Sequence, residues 1–151
     1  MPAPDSPIPT EPITVLAFDY GTRRIGVAVG NTLTRSAQPL ATLDAHDAAQ
    51  RMTDAATLVA QWAPARVVVG IPVHADGTPH VMTQRATTFA RELAARVRVP
   101  VEHADERYTT VLAQDQLDAR HKGRGGRAER DAVAAQLILQ GWLDARERQS
   151  S

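Results

Sequence analysis

Apolar residues come along this chain in two rhythms: short runs with little polar interruption, and longer stretches with an apolar residue every three or four positions. The first short run, "ITVLAFDY" from Ile13, is rich in Val and Ile on both sides of its alternation, which predicts a strand covered on both faces. The "GTRR" behind it predicts a tight turn, and "IGVAVG" predicts a second strand closing a hairpin. "AQPLATL" reads as a third strand, which Pro39 confines to an edge because proline cannot donate to a ladder. "RVVVGIP" and "VPVEHADE" are two further short strands.

The helical rhythm fills the gaps. Asp44 is placed to N-cap a helix to about Trp62, with Met52, Ala55, Ala56, Val59 and Trp62 along one stripe. "VHADGT" is a loop, after which Thr78 and Pro79 predict a cap and first position for a helix to about Val97. A third helix is expected from about Thr109 to Arg120, and a last one from about Ala128 to Ala145. The order β-β-β-α-β-α-β-α-α predicts an α/β fold: a mixed sheet with helices on both faces.

Length and composition narrow the class. A chain of 151 residues holds one domain, expected at 13–146. "MPAPDSPIPTEP" carries five prolines and little to bury, so 1–12 are expected to be a disordered tail, and 147–151 a polar one. No apolar run approaches a membrane span, no secretory signal opens the chain, and cysteine is absent, which excludes disulfides and thiolate metal sites and suits a cytoplasmic protein. Seventeen basic and seventeen acidic residues cancel, but "RHKGRGGRAER" concentrates Arg120, Lys122, Arg124, Arg127 and Arg130 against one Glu. On a glycine-rich loop, Arg120, Lys122, Arg124 and Arg127 are candidates to grip a nucleic-acid backbone.

Three acidic positions are the candidate chemistry. Asp19 ends an apolar strand, where a carboxylate either starts a turn or is held by something positive. Asp105 and Glu106 end the last strand, where they either favour the following helix N-terminus or line a site, and alternation cannot choose between them. Asp131 shares a helical stripe with Ala135, Ile138 and Trp142, so it points to the core side. Carboxylates from two strands and the last helix would suit Mg²⁺ or Mn²⁺, hard cations that can hold a phosphodiester for attack by water. His74, His80 and His103 lack metal-ligand spacing, and Trp62 and Trp142 are expected in the core. With aromatics at 4%, base stacking has little to work with.

Taken together, "FDYGTRRIGVAVG", "VVGIPVHADGT", "DERYTT" and "RDAVAAQLIL" resemble the bacterial YqgF (RuvX-like) family, from about Val15 to Trp142. Its members are described as pre-16S rRNA nucleases and as Holliday junction resolvases. The resemblance implies a ribonuclease-H-like fold, a cytoplasmic location, a role in maturing the 5′ end of 16S rRNA, and Asp19, Glu106 and Asp131 as catalytic metal ligands, which settles Glu106 over Asp105. Arg24, Gly26 and Gly70 match further family positions, with Arg24 a nucleic-acid contact and the glycines serving turn geometry and the site. A fourth acid expected from the junction resolvases is replaced by Ala134. The same motifs admit branched DNA as substrate, for which a homodimer with two sites is expected. "DYGT" also resembles the phosphate loop of actin-like ATPases, a reading without nuclease action.

Overall fold

A computed structural model describes residues 11–72, 76, 81–105 and 127–150. Five strands form one sheet: β1 (Thr14–Tyr20), β2 (Ile25–Asn31), β3 (Ser36–Leu43), β4 (Arg66–Ile71) and β5 (Val101–Asp105). Their order is β3-β2-β1-β4-β5. The first three form an antiparallel meander, while β4 and β5 join parallel to β1. Helices α1 (Ala48–Trp62), α2 (Thr83–Arg96) and α3 (Arg127–Ser150) complete the described elements. The helix expected over 109–120 lies outside the described residues.

The pleat explains why the central strands are apolar throughout. Leu16, Phe18, Val67, Val69 and Ile71 turn to one face, where they pack with Met52, Ala55 and Val59 of α1 and Phe89, Ala90 and Leu93 of α2. Ile13, Val15, Ala17, Val68 and Ala104 turn to the other, against Ala135, Ile138, Leu139, Trp142 and Leu143 of α3. The expectation of helices on both faces is met. Pro39 does lie in an edge strand, beside a bulge where the β2–β3 register shifts. α3 covers that edge: Gln140 Oε1 accepts from the Ala37 amide at 3.1 Å, and Gln136 Nε2 donates to its carbonyl at 2.8 Å.

Three expectations need correction. The cap of α1 is Asp47, whose side chain accepts from the Ala49 amide, and not Asp44. The buried Arg51 guanidinium donates to the carbonyls of Ala45 and His46, so the segment after Asp44 is held as an irregular approach to the helix. α2 starts at Thr83, five residues beyond Thr78, with Met82 as a cap offering no side-chain bond; the Thr83 hydroxyl donates to the Pro72 carbonyl and ties the helix start to the end of β4. Trp62 is 43% exposed although it continues the buried stripe of α1, because it is the helix's last residue. Trp142, by contrast, is buried as expected, and α3 continues beyond Ala145 to Ser150.

At the far end of the sheet from the β1–β2 turn, a charged cluster fixes α3 to the strands. Arg66 is 2% exposed and its Nη1 lies 2.7 Å from Glu102 Oε2; Trp142 Nε1 donates to Glu102 Oε1 at 2.6 Å, and Arg146 approaches at 3.2 Å. Glu102 therefore compensates a buried cation and orients the helix together. Glu102→Gln keeps the shape and removes the charge, and is expected to lower unfolding free energy by about 1.5–3 kcal/mol, the worth of bonds to a charged acceptor. The midpoint of urea unfolding measures this; an unchanged midpoint would mean that the cluster does not hold the helix.

Candidate active site

Asp19 belongs to the face that α3 covers, since it continues the parity of Ile13, Val15 and Ala17 along β1. Its partners across the sheet are Gly26 on β2 and Gly70 on β4. The half-buried acid is therefore flanked by glycine on both sides, and the space those side chains would fill is available to something else. On the β2 side it is taken by α3. A Cβ at Gly26 would lie 1.8 Å from the backbone oxygen of Asp131 and 3.0 Å from the Ala132 nitrogen. Gly26 thus lets the backbone at Asp131 settle onto the sheet beside Asp19, a close approach that only glycine permits. The turn has a close approach of its own at Gly21, where a Cβ would lie 2.6 Å from the Arg24 carbonyl oxygen.

Asp131 sits a full turn inside α3, because the helix starts at Arg127. The helix-dipole explanation for an acid in the first turn is correspondingly weaker here. What holds its charge is Arg24, whose Nε lies 2.5 Å from Asp131 Oδ2, each side chain roughly 30% exposed. Arg24 rides on the β1–β2 turn, and the turn is itself anchored by Arg51 Nη2, which donates to the Thr22 carbonyl at 2.8 Å. A buried arginine on the inward stripe of α1 was the sequence signal for this anchor, and the sequence reading passed over it. The same holds for Arg66 and Glu102, charged residues at inward positions of apolar strands.

Of the site residues expected from sequence, the structure brings Asp19, Arg24 and Asp131 to one end of the sheet, where β1 finishes. Glu106, Arg120, Lys122 and Arg124 lie outside the described residues, and Arg127 is described only by its backbone, at the start of α3. Among the described residues, no three acidic or imidazole side chains gather as a metal-holding group. His103 is exposed on β5, in line with a surface role. No described helix is long and apolar enough to cross a membrane.

A mixed five-stranded sheet with helices packed on both faces is the ribonuclease-H-like fold. Solved structures agree on the fold. The chain superposes on Thermus thermophilus RuvC bound to a Holliday junction with a TM-score of 0.58 at 17% identity, covering 89% of this chain and 96% of that one. The fowlpox virus Holliday junction resolvase gives 0.54 at 9% identity, covering 87% and 99%. Residues 13–145 match the RuvX family model, described as Holliday junction resolvase, and the chain belongs to that family. A relative from Dechloromonas aromatica is 50% identical over 135 residues, covering 87% of this chain and 91% of its own. One from Paraburkholderia xenovorans is 48% identical over 131 residues, covering 87% and 88%. Both carry the name "Putative pre-16S rRNA nuclease". The protein is accordingly a phosphodiester hydrolase acting on nucleic acid.

Proposed function

We propose that this protein trims precursor 16S rRNA near its 5′ end in the cytoplasm, with Asp19, Glu106 and Asp131 holding Mg²⁺ or Mn²⁺. The observation that carries this reading is Gly26 beside Asp19, which makes room for the α3 backbone at Asp131. An acid placed merely to start a turn would not need the last helix brought down beside it. Asp19 and Asp131 offer hard carboxylate oxygens, the donor type that such cations take, in a chain with no thiolate to compete. When bound, the cation supplies Lewis-acid activation of water and of the phosphodiester.

The chain's own residues then have separate tasks. Asp19 and Asp131 supply negative charge from two independent elements, so the site exists only in the folded protein. Arg24 balances Asp131 and presents a guanidinium to a phosphate at the same end of the sheet. Arg120, Lys122, Arg124 and Arg127 would extend that contact along the strand. The RNA substrate follows the names of relatives that are about half identical over nearly their whole length. A second reading, resolution of branched DNA by a homodimer, is favoured by the family's description.

A cleavage panel separates them: precursor rRNA, plain RNA strands and four-way DNA junctions, each with Mg²⁺ and with Mn²⁺ and without ATP. Specific cutting of the precursor is the expected result. Cutting confined to junctions would move the assignment to the second reading. If the panel shows no cleavage of any nucleic acid and a separate assay with ATP shows its hydrolysis, a phosphate-binding module of actin-like type is favoured and both readings are refuted.

A further inference from the structure

The end of β1 has two sides. Asp19 faces α3, and Tyr20, the next residue, packs with the core on the side of α1 and α2. There it lines an open groove of about 640 Å³, a size typical of ligand sites. The first residues of both helices reach the groove: Ala48 and Ala49 from α1, Gln84 and Arg85 from α2. Two helix N-termini thus converge beside the C-terminal ends of β1 and β4. Neither has an acid in its first turn; α1 is capped by Asp47, and α2 has no side-chain cap. Three arginines line the groove, Arg51, Arg85 and Arg96, against the single acid Glu92. Arg51 spends its donors on the carbonyls of Thr22, Ala45 and His46, and Arg96 touches Thr53 Oγ1 at 3.3 Å, while Arg85 and Arg96 stand exposed at the rim. The floor is apolar, with Phe89 5.2 Å from Tyr20 between ring centres. With Arg85 and Arg96 exposed against Glu92, the groove carries an excess of positive charge at its mouth over an apolar floor, which suits a phosphate-bearing chain.

We propose that this groove holds the phosphates of the substrate strand flanking the bond that is cut, so that the strand passes around the C-terminal end of β1, from the face of Asp19 to the face of Tyr20. The proposal rests on the nuclease reading for the identity of the strand, but not for the binding itself. An acidic peptide is disfavoured by the scarcity of backbone edges in a groove made of two helices.

The test uses the full chain carrying Asp19→Asn, so that binding is read without cleavage. Anisotropy of a labelled RNA strand of roughly twenty nucleotides is followed against salt, with and without Arg85→Ala plus Arg96→Ala. Loss of two phosphate contacts lowers the slope of log K against log salt by about 1.4 for a single strand. Arg85→Lys plus Arg96→Lys retains most of the slope, which a general disturbance of folding would not allow. An unchanged slope in the alanine pair overturns the proposal. So does a mononucleotide that binds the wild-type groove while strand binding stays indifferent to both arginines, because the ligand is then a free nucleotide. Failure of the nuclease reading shows separately: the wild-type protein cuts nothing in the cleavage panel, whatever the slope does here.

Discussion

Asp131→Asn is expected to slow cleavage by about a thousandfold, equivalent to roughly 4 kcal/mol of transition-state stabilisation, while nucleic-acid binding survives. Asparagine preserves the shape and removes the charge on which both the proposed cation and Arg24 depend. The fold should tolerate it, because the Arg24–Asp131 pair is about 30% exposed on each side and such pairs contribute only ~0–1 kcal/mol. The competing explanation is that Asp131 exists to position Arg24. The two differ in what Arg24→Ala does. If Asp131 serves the chemistry directly, losing its partner costs far less than losing the acid, and Asp19→Asn matches Asp131→Asn. If Asp131 serves Arg24, the two variants lose rate equally. Single-turnover rates for the three variants, with melting curves to confirm folding, decide between them, and equal losses in Arg24→Ala and Asp131→Asn would remove Asp131 from the chemistry.

Which features could be read from the sequence follows from what their signals depend on. The strands announced themselves because burial on both faces demands continuous apolar runs, and five such runs became five strands. Pro39 located an edge for the same local reason, a missing donor. Helix starts were harder. Asp44 and Thr78 both have the chemistry of a cap, but the choice among nearby candidates was made by distant partners: Arg51 holding the carbonyls before Asp47, and Thr83 bonding to Pro72. No window around the cap contains that information. At the site, helical counting was sufficient to turn Asp131 inward, and strand parity sufficient to give Asp19 a face. The four-residue turn even pairs Asp19 with Gly26 by counting; what counting could not show was that the α3 backbone settles on Gly26, since that contact joins elements far apart in the chain. Gly26 was therefore expected only in general terms to serve turn geometry and the site, although the task its position gives it, admitting the α3 backbone, is definite.

That task makes Gly26→Ala the substitution with the largest expected structural effect. The added methyl carbon would lie 1.8 Å from the Asp131 carbonyl oxygen, against backbone that has no rotamer with which to retreat. Relief requires the helix to lift by more than about 1 Å, because non-bonded heavy atoms settle near 3.5 Å or beyond. Overpacking in a core usually costs ~1–3 kcal/mol, and a clash with backbone on a helix packed against β1, β2 and β3 should exceed that range. Gly30→Ala is the natural comparison on the same strand. Its methyl would meet the Leu139 Cδ2 atom at 2.9 Å and the Ser36 oxygen at 3.0 Å, so a side chain and small shifts can absorb most of it. Thermal unfolding should therefore rank wild type, then Gly30→Ala, then Gly26→Ala well below both. Activity should separate the two variants further still, even at a temperature where circular dichroism shows both folded. In Gly26→Ala the element that has to move is the one carrying Asp131, and the movement takes it away from Asp19; in Gly30→Ala the yielding atoms lie at Leu139 and Ser36, far along the helix and strand from both acids. A folded Gly26→Ala protein that melts and cleaves like wild type would show that the close approach of helix to sheet is not what assembles the site.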